Sequence, residues 1–395
     1  MRAISVTLDD DVDLDGVCRD DGLLFARDRV GVAGRDVVAR LDDPAALAAI
    51  PHDDRAGGAR VVAFATLPFD PASPACILVP GIGVVRRADG CAVLTVVGDD
   101  PDVDAAVASV TAPVAAPTAS AGSFDVRPLS PVPHYLDAVR AARDAVRSGS
   151  IAKAVIAREV QVRAERPLDV QAILLRLRAS FGSSYRYCVD GLIGASPELL
   201  IAVDGPIVRS HPLAGTAPRT GDPDADARVA AALVASTKDQ VEHRVVIDTI
   251  YDTLLPHCSY LDWEAEPSVL TVANVQHLAT RDGGPAVRAA STGDRVGPGA
   301  VADTGTGRRA AGAALQLIKS VEGFERGRYG GAVGWLDSAG DGTFAVTIRC
   351  AELSEDRRAA RLVAGGGIVA GSDPHAELAE TQAKLQAMLA AIVRP

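Results

Sequence analysis

Short apolar runs broken by Gly, Pro and Asp dominate the first third of this chain. The stretches 60–66 (Arg-Val-Val-Ala-Phe-Ala-Thr) and 91–97 (Cys-Ala-Val-Leu-Thr-Val-Val) are typical, and they predict short strands. Beyond position 130 the period changes. Leu136, Val139, Ala142 and Val146 recur at helical spacing and predict a helix over 135–147, followed by an alternating strand over 153–162. A helix over 168–179 and a strand-rich run over 185–213 come next. The pattern then predicts two consecutive helices over 224–253 and a strand over 269–278. The last third holds strands at 331–337, 343–352 and 360–364, and a closing helix over 373–393. Runs of strands separated by long helices argue for an α+β fold, not a regular βαβ repeat.

The closing helix carries the clearest chemistry. Asp373-Pro374 supplies an N-cap and a proline at the first helical position. Within the helix Glu377, Glu380 and Lys384 fall on one stripe, beside an apolar stripe of Leu378, Leu385, Leu389 and Ile392. The two carboxylates therefore lie at the edge of the buried face. Carboxylates three residues apart suit a hard divalent cation such as Mg²⁺, although a solvated Glu/Lys face has the same pattern. A second acidic helix contains Lys238-Asp239-Gln-Val-Glu242-His243. Adjacent helical residues point about 100° apart. Glu242 is accordingly the candidate oxygen ligand there, and His243 is left to packing or to supporting a ligand from behind.

Three further features add chemistry. Leu213-Ala-Gly215-Thr216-Ala-Pro-Arg and Ala364-Gly365-Gly366-Gly367-Ile read as glycine-rich turns whose N–H groups can hold an anion, or as ordinary tight turns. Arg349, placed in a strand by its neighbours Val346-Thr-Ile and Cys-Ala, can offer a bidentate bond to a carboxylate or serve a structural ion pair. Ala195-Ser-Pro-Glu198-Leu-Leu sets one acid among apolar residues, where burial raises a carboxyl pKa, as a general acid requires.

Composition singles out the lysines. Of 40 basic residues only Lys153, Lys238, Lys319 and Lys384 are lysine. Where Arg has replaced Lys almost everywhere, the survivors are candidates for work a guanidinium cannot do, above all giving up a proton. Lys153, in Ile151-Ala-Lys-Ala-Val-Ile-Ala-Arg158, is the strongest candidate base, with Ile151, Val155 and Ile156 expected to desolvate it. The remaining composition mainly excludes. A net charge of −11 argues against nucleic acid and anionic membranes. No apolar run reaches the ~18 residues that span a bilayer, and the N-terminus turns acidic at once. The six cysteines are scattered without a CxxC pair, which fits reduced thiols in a cytoplasm. With 395 residues the chain can bury one large domain or two ordinary ones, and 111–122, rich in Ala, Pro, Thr and Ser, is the candidate linker.

Taken in order, these blocks carry a resemblance. They are Lys153 in its strand, Ser-Pro-Glu198-Leu-Leu, Leu-Ala-Gly215-Thr216-Ala-Pro-Arg, Lys-Asp-x-x-Glu242-His, Gln-His277-Leu, Arg326-Gly-x-Tyr329-x-Gly331, Ile-Arg349-Cys-Ala, Ala-Gly-Gly-Gly-Ile and Ser-Asp-Pro-x-x-Glu377-x-x-Glu380-Thr-x-x-Lys384. From about residue 130 to 393 the chain closely resembles the chorismate-utilising enzymes, which include isochorismate synthase, salicylate synthase and the anthranilate synthase large subunit. The resemblance implies an α+β chorismate-binding fold of two large, mostly antiparallel sheets flanked by helices, with the active site in a cleft. Residues 1–125 would be a strand-rich part integrated in the same domain, and 126–395 the catalytic region.

By position, Glu242, Glu377 and Glu380 would hold Mg²⁺, which bridges to the substrate. Gly215, Thr216, Tyr329, Arg349, Gly365, Gly367 and Lys384 would bind chorismate. Glu198 would protonate the departing C4 hydroxyl, and Lys153 would activate the water that attacks C2. Members that use ammonia usually carry Gln where this chain has Lys153, so a lysine implies water and a 2-hydroxy product. Isochorismate synthase is the leading expectation, acting as a cytoplasmic monomer. A salicylate synthase, another chorismate-converting enzyme, or a chorismate-binding pseudoenzyme are the alternatives. One block departs from the family: its Leu-His-Pro-Thr-Pro-Ala-Val-Gly-Gly segment is replaced by Ala300-Val301-Ala-Asp303-Thr-Gly305-Thr306-Gly307-Arg308-Arg309, and no histidine lies between His277 and His375.

Overall fold

The computed structural model describes residues 1–9, 11–114, 122–272, 274–280, 286–288 and 308–393. The block at 300–307 that departs from the family lies outside the described residues, as does most of the candidate linker.

Two large sheets organise the fold, and every strand pairing but one among the described residues is antiparallel. They share one long strand, Cys76–Arg86. Along one edge this strand pairs with Val30–Leu41. Its other edge divides: residues 82–86 pair with Ala92–Gly98, and residues 76–78 with Val62–Leu67. From Val30–Leu41 the pairing runs through Leu23–Arg27, Tyr185–Val189, Leu192–Ser196, Cys350–Leu353 and Ala359–Ile368 to Ala154–Ala164. From the second arm it runs through Ala332–Asp337 and Gly342–Val346 to Leu199–Asp204 and Ile207–His211. The two expected sheets are thus one hydrogen-bonded network, because a strand of this length can serve different neighbours at its two ends. A separate three-stranded sheet, Leu213–Pro218, Val275–Ala279 and Ser268–Thr271, stands beside it.

Residues of the first third are interleaved with the rest. Val62–Leu67 lies directly against Ala332–Asp337, and Leu23–Arg27 against Tyr185–Val189. One buried apolar cluster joins Leu24, Leu94 and Val110 to Val162, Ile173, Leu385 and Met388. Burial of this apolar surface is the main force holding such elements together.

The helices follow the sequence pattern with small shifts. Val132–Arg147 and Val170–Phe181 form where helical spacing predicts them. Pro223–Ala235 and Thr237–Leu254 are separated by Ser236, whose hydroxyl accepts from Asp239 N and caps the second helix. The closing helix spans Pro374–Val393, and the Asp373 carboxylate accepts from the N–H groups of His375 and Ala376.

Three expectations from the sequence are corrected. The single strand predicted over 269–278 is a hairpin of Ser268–Thr271 and Val275–Ala279. The strand predicted over 343–352 is broken between Val346 and Cys350, because Arg349 has a left-handed backbone with φ +53°. The two glycine-rich segments are strands, not turns: Leu213–Pro218 and Ala359–Ile368.

Candidate active site

The glycine-rich strand Ala359–Ile368 forms the floor of the site. Gly365, Gly366 and Gly367 pair in register with Ala157, Ile156 and Val155. At Gly366 and Gly367 glycine is required because carboxylate side chains fill the space a Cβ would take. A Cβ on Gly367 would stand 2.0 Å from Glu242 Oε1 and 2.7 Å from Lys153 Cε. One on Gly366 would stand 2.5 Å from Glu377 Oε2 and 3.8 Å from Glu380 Oε1. Three carboxylates from two helices, Thr237–Leu254 and Pro374–Val393, therefore converge over two residues of one strand. These obstructing atoms are the ends of flexible side chains. Gly367→Ala is accordingly expected to retain a single cooperative melt while lowering turnover at least ~10-fold, because Glu242 and Lys153 must move aside. Parallel thermal melts and rate measurements check this.

Each of these carboxylates faces a lysine. Lys153 Nζ lies 3.0 Å from Glu242 Oε1, Lys238 Nζ 2.9 Å from Glu377 Oε1, and Lys384 Nζ 2.5 Å from Glu380 Oε1. Lys384 also donates to the Gly365 carbonyl at 2.9 Å. Three of the four lysines thus gather at one place. The fourth, Lys319, pairs with Asp70 elsewhere.

The environment of Lys153 differs from the apolar one expected. Ile151 and Ile156 are buried, but Val155 is exposed and the ammonium meets a carboxylate. Strand alternation explains this, since Val155 and Ile156 point to opposite faces.

The carboxylates are more deeply placed than an amphipathic pattern suggests. Glu377 is only 1% exposed, less than its apolar neighbour Leu378, and its Oε2 has no hydrogen-bond partner. Burial and the nearby Glu380 raise its pKa despite Lys238. Burial works on Glu380 in the same sense, but the Lys384 ammonium outweighs it and holds that carboxyl below its ordinary value. His243 turns away from Glu242, as adjacent helical residues must, and its Nε2 meets Thr280 Oγ1 at 2.7 Å. The donor set suits a hard cation chemically: three carboxylates, one with an unpartnered buried oxygen. Among the described residues no three ligating side chains yet surround a common point, since each carboxylate is turned to its lysine.

Glu198 lies between two strands. Pro197 ends the strand Leu192–Ser196 and leaves Glu198 in the two-residue gap before Leu199–Asp204. Its Oε1 accepts from Leu213 N at 3.3 Å. Burial lifts its carboxyl to about 7, a rise that this N–H and the positive charges of Lys153, Arg349 and Lys384 oppose.

Arg349 is buried, and its Nη2 lies 3.3 Å from His277 Nε2. A guanidinium only donates, so Nε2 is the acceptor and the His277 proton resides on Nδ1, which reaches the Gly215 carbonyl at 3.1 Å. Burial and the adjacent Arg349 lower the His277 pKa to about 3, keeping it neutral. Thr216 Oγ1 approaches the same Nδ1 at 3.2 Å. Gly215, at φ +71°, forms the bulge where the pairing of Leu213–Pro218 with Val275–Ala279 slips by one residue. Tyr329 is buried near Arg349, and burial pushes its phenol up to about 12. Sequence reasoning gave no site role to His277, Gly366 or Lys238. For His277 the signal was present in the Gln-His-Leu block, and for Lys238 in the scarcity of lysine.

Residues 116–393 match the family model described as chorismate binding enzyme. The chain belongs to that family. A Mycobacterium tuberculosis protein provisionally named as the isochorismate synthase MenF is 39% identical over 389 residues, covering 95% of each chain. The isochorismate synthase DhbC of Bacillus subtilis is 37% identical over 286 residues, covering 68% of this chain and 70% of its own. Among solved structures, the menaquinone-specific isochorismate synthase MenF of Escherichia coli superposes with a TM-score of 0.81, at 22% identity, over 99% of this chain and 94% of that one. That likeness concerns the chorismate-binding fold alone. Among the described residues no helix is long and apolar enough to cross a membrane.

Proposed function

We propose that this chain is an isochorismate synthase, which adds water at C2 of chorismate and expels the C4 hydroxyl. The observation that carries this is an acid and an amine in one cluster. Glu198, its carboxyl at about 7, feels the charge of Lys153, and Lys153 in turn meets Glu242 over Gly367. Identities of 37–39% to proteins named as isochorismate synthases support it.

In the reaction a new C2–O bond forms, the ring double bonds shift, and the C4–O bond breaks. Lys153 takes the proton of the attacking water. Glu198 donates its proton to the leaving hydroxyl, so that water departs. For the first task Lys153 Nζ must leave its 3.0 Å contact with Glu242. Paired titratable groups with opposed protonation states are a common basis for acid and base roles at neutral pH. Glu242, Glu377 and Glu380 would hold Mg²⁺, and their all-oxygen set fits that ion. When bound, Mg²⁺ supplies positive charge to hold and polarise the C1 carboxylate of chorismate. Arg349, Tyr329 and Lys384 then bind substrate carboxylates together with the backbone at Gly215, Thr216, Gly365 and Gly367. His277 keeps the Arg349 guanidinium aimed without adding charge.

The strand pairings of the first third support a single domain with 1–125 built into it. Six unpaired thiols suit a cytoplasmic setting.

Incubation with chorismate and Mg²⁺, with and without EDTA, followed by chromatography of the products, tests the proposal. Isochorismate, formed only with the cation, is expected. Salicylate with pyruvate would assign the chain to the salicylate synthases, and unchanged chorismate would refute turnover altogether. Glu380→Gln is expected to shift the Mg²⁺ titration midpoint upward at least ~10-fold, since a neutral amide replaces an anionic ligand. An unchanged titration would remove Glu380 from the cation site.

A further inference from the structure

We propose that Tyr187 is a positioning residue that holds Arg349 in its working conformation. Arg349 has an unusual backbone for a side-chain-bearing residue, at φ +53°, a region that non-glycine residues seldom occupy. Both peptide units flanking its Cα are pinned. Tyr187, fully buried in the strand Tyr185–Val189, donates from its hydroxyl to the Ile348 carbonyl at 2.8 Å. The Arg349 carbonyl in turn accepts from Ala195 N at 3.1 Å. The first bond fixes the plane before Arg349 and the second fixes the plane after it, so φ and ψ are both determined.

Gly194 makes this possible. It sits opposite Tyr187 on one side and Cys350 on the other in the sheet register. A Cβ there would stand 2.6 Å from Tyr187 Oη and 2.7 Å from the Arg349 carbonyl oxygen. These obstructing atoms are a rigid ring and backbone, which cannot step aside. The absence of a side chain at 194 therefore lets the hydroxyl and the strained segment approach together. Through this one hydroxyl the strand Tyr185–Val189 sets the direction of the guanidinium that meets His277 Nε2.

The inference rests on the proposal that Arg349 binds a carboxylate of chorismate. The test is a double-mutant cycle, with chorismate Kd measured calorimetrically in Mg²⁺ and kcat and KM measured alongside. Tyr187→Phe keeps the ring and removes only the hydroxyl. It is expected to raise Kd and KM about tenfold, with kcat changed less than ~3-fold and a single cooperative melt retained. In an Arg349→Ala background the same change is expected to have no further effect on Kd, because the group it positions is gone. If Tyr187→Phe leaves Kd within ~2-fold while Arg349→Ala raises it, the positioning role is overturned and the substrate role of Arg349 stands. Full additivity of the two changes would likewise overturn it, placing the effect of Tyr187 elsewhere. If Arg349→Ala itself leaves Kd unchanged, the underlying assignment of Arg349 fails instead.

Discussion

Lys153→Ala is expected to abolish turnover while Mg²⁺-dependent binding of chorismate survives. A positioned general base contributes roughly 10²–10⁴-fold to rate, and Lys238, the other amine near Glu242, is held by Glu377 at 2.9 Å. The side chain has a second role that predicts a further signature. Without cation, the Lys153 ammonium is the counter-ion of Glu242, which is 8% exposed. Removing it strands a buried carboxylate, at a cost on the order of 3–5 kcal/mol. The metal-free protein should therefore melt earlier than its parent. Saturating Mg²⁺ should recover much of that loss, because a ligand that binds only the folded state stabilises it. Lys153→Arg would separate the two roles, restoring the counter-ion but not a group that gives up its proton. Rates within tenfold of the parent for Lys153→Ala would show that Lys153 is not the base.

What the sequence made legible follows from how far each signal reaches. The closing helix was readable because capping and helical spacing are local, and Asp373-Pro374 behaves as its residue types require. Glu198 was readable too, since an acid bracketed by Pro197, Leu199 and Leu200 has little chance of full solvation. The lysines were legible through rarity, although rarity did not indicate that three would meet three carboxylates. Arg349 was placed correctly among its neighbours but wrongly in a continuous strand. Its backbone is imposed by Tyr187 and Ala195, more than 150 residues away, and no local pattern records such contacts. The triple glycine shows the same limit. Local chemistry reads Gly365-Gly366-Gly367 as a turn, whereas the demand for glycine comes from Glu242 and Glu377 passing over a regular strand. Tertiary context overrode propensity wherever the site was assembled, as expected where function and local preference conflict.

Glu198→Gln is expected to lower turnover by roughly 10²–10⁴-fold, the usual contribution of a general acid, with chorismate binding little changed. The pH dependence gives a sharper test. Burial raises the Glu198 carboxyl from an ordinary 4.5 to about 7 in the folded chain. Only the protonated form can serve the leaving hydroxyl, so the parent rate should fall as pH rises through about 7. Stability should move in the same direction. Between about pH 4.5 and 7 the unfolded chain ionises this group while the folded chain keeps the proton, so unfolding is increasingly favoured as pH rises. Above that range the full cost of a buried carboxylate persists. Glutamine has the shape of the protonated acid and never ionises, so the variant should lose the Glu198 share of this decline. Melts of parent and variant from pH 5 to 8.5 should therefore diverge, with the variant the more stable at the alkaline end. Parallel stability curves would mean that Glu198 is already ionised at neutral pH. The role of proton donor to the C4 hydroxyl would then have to pass to another group.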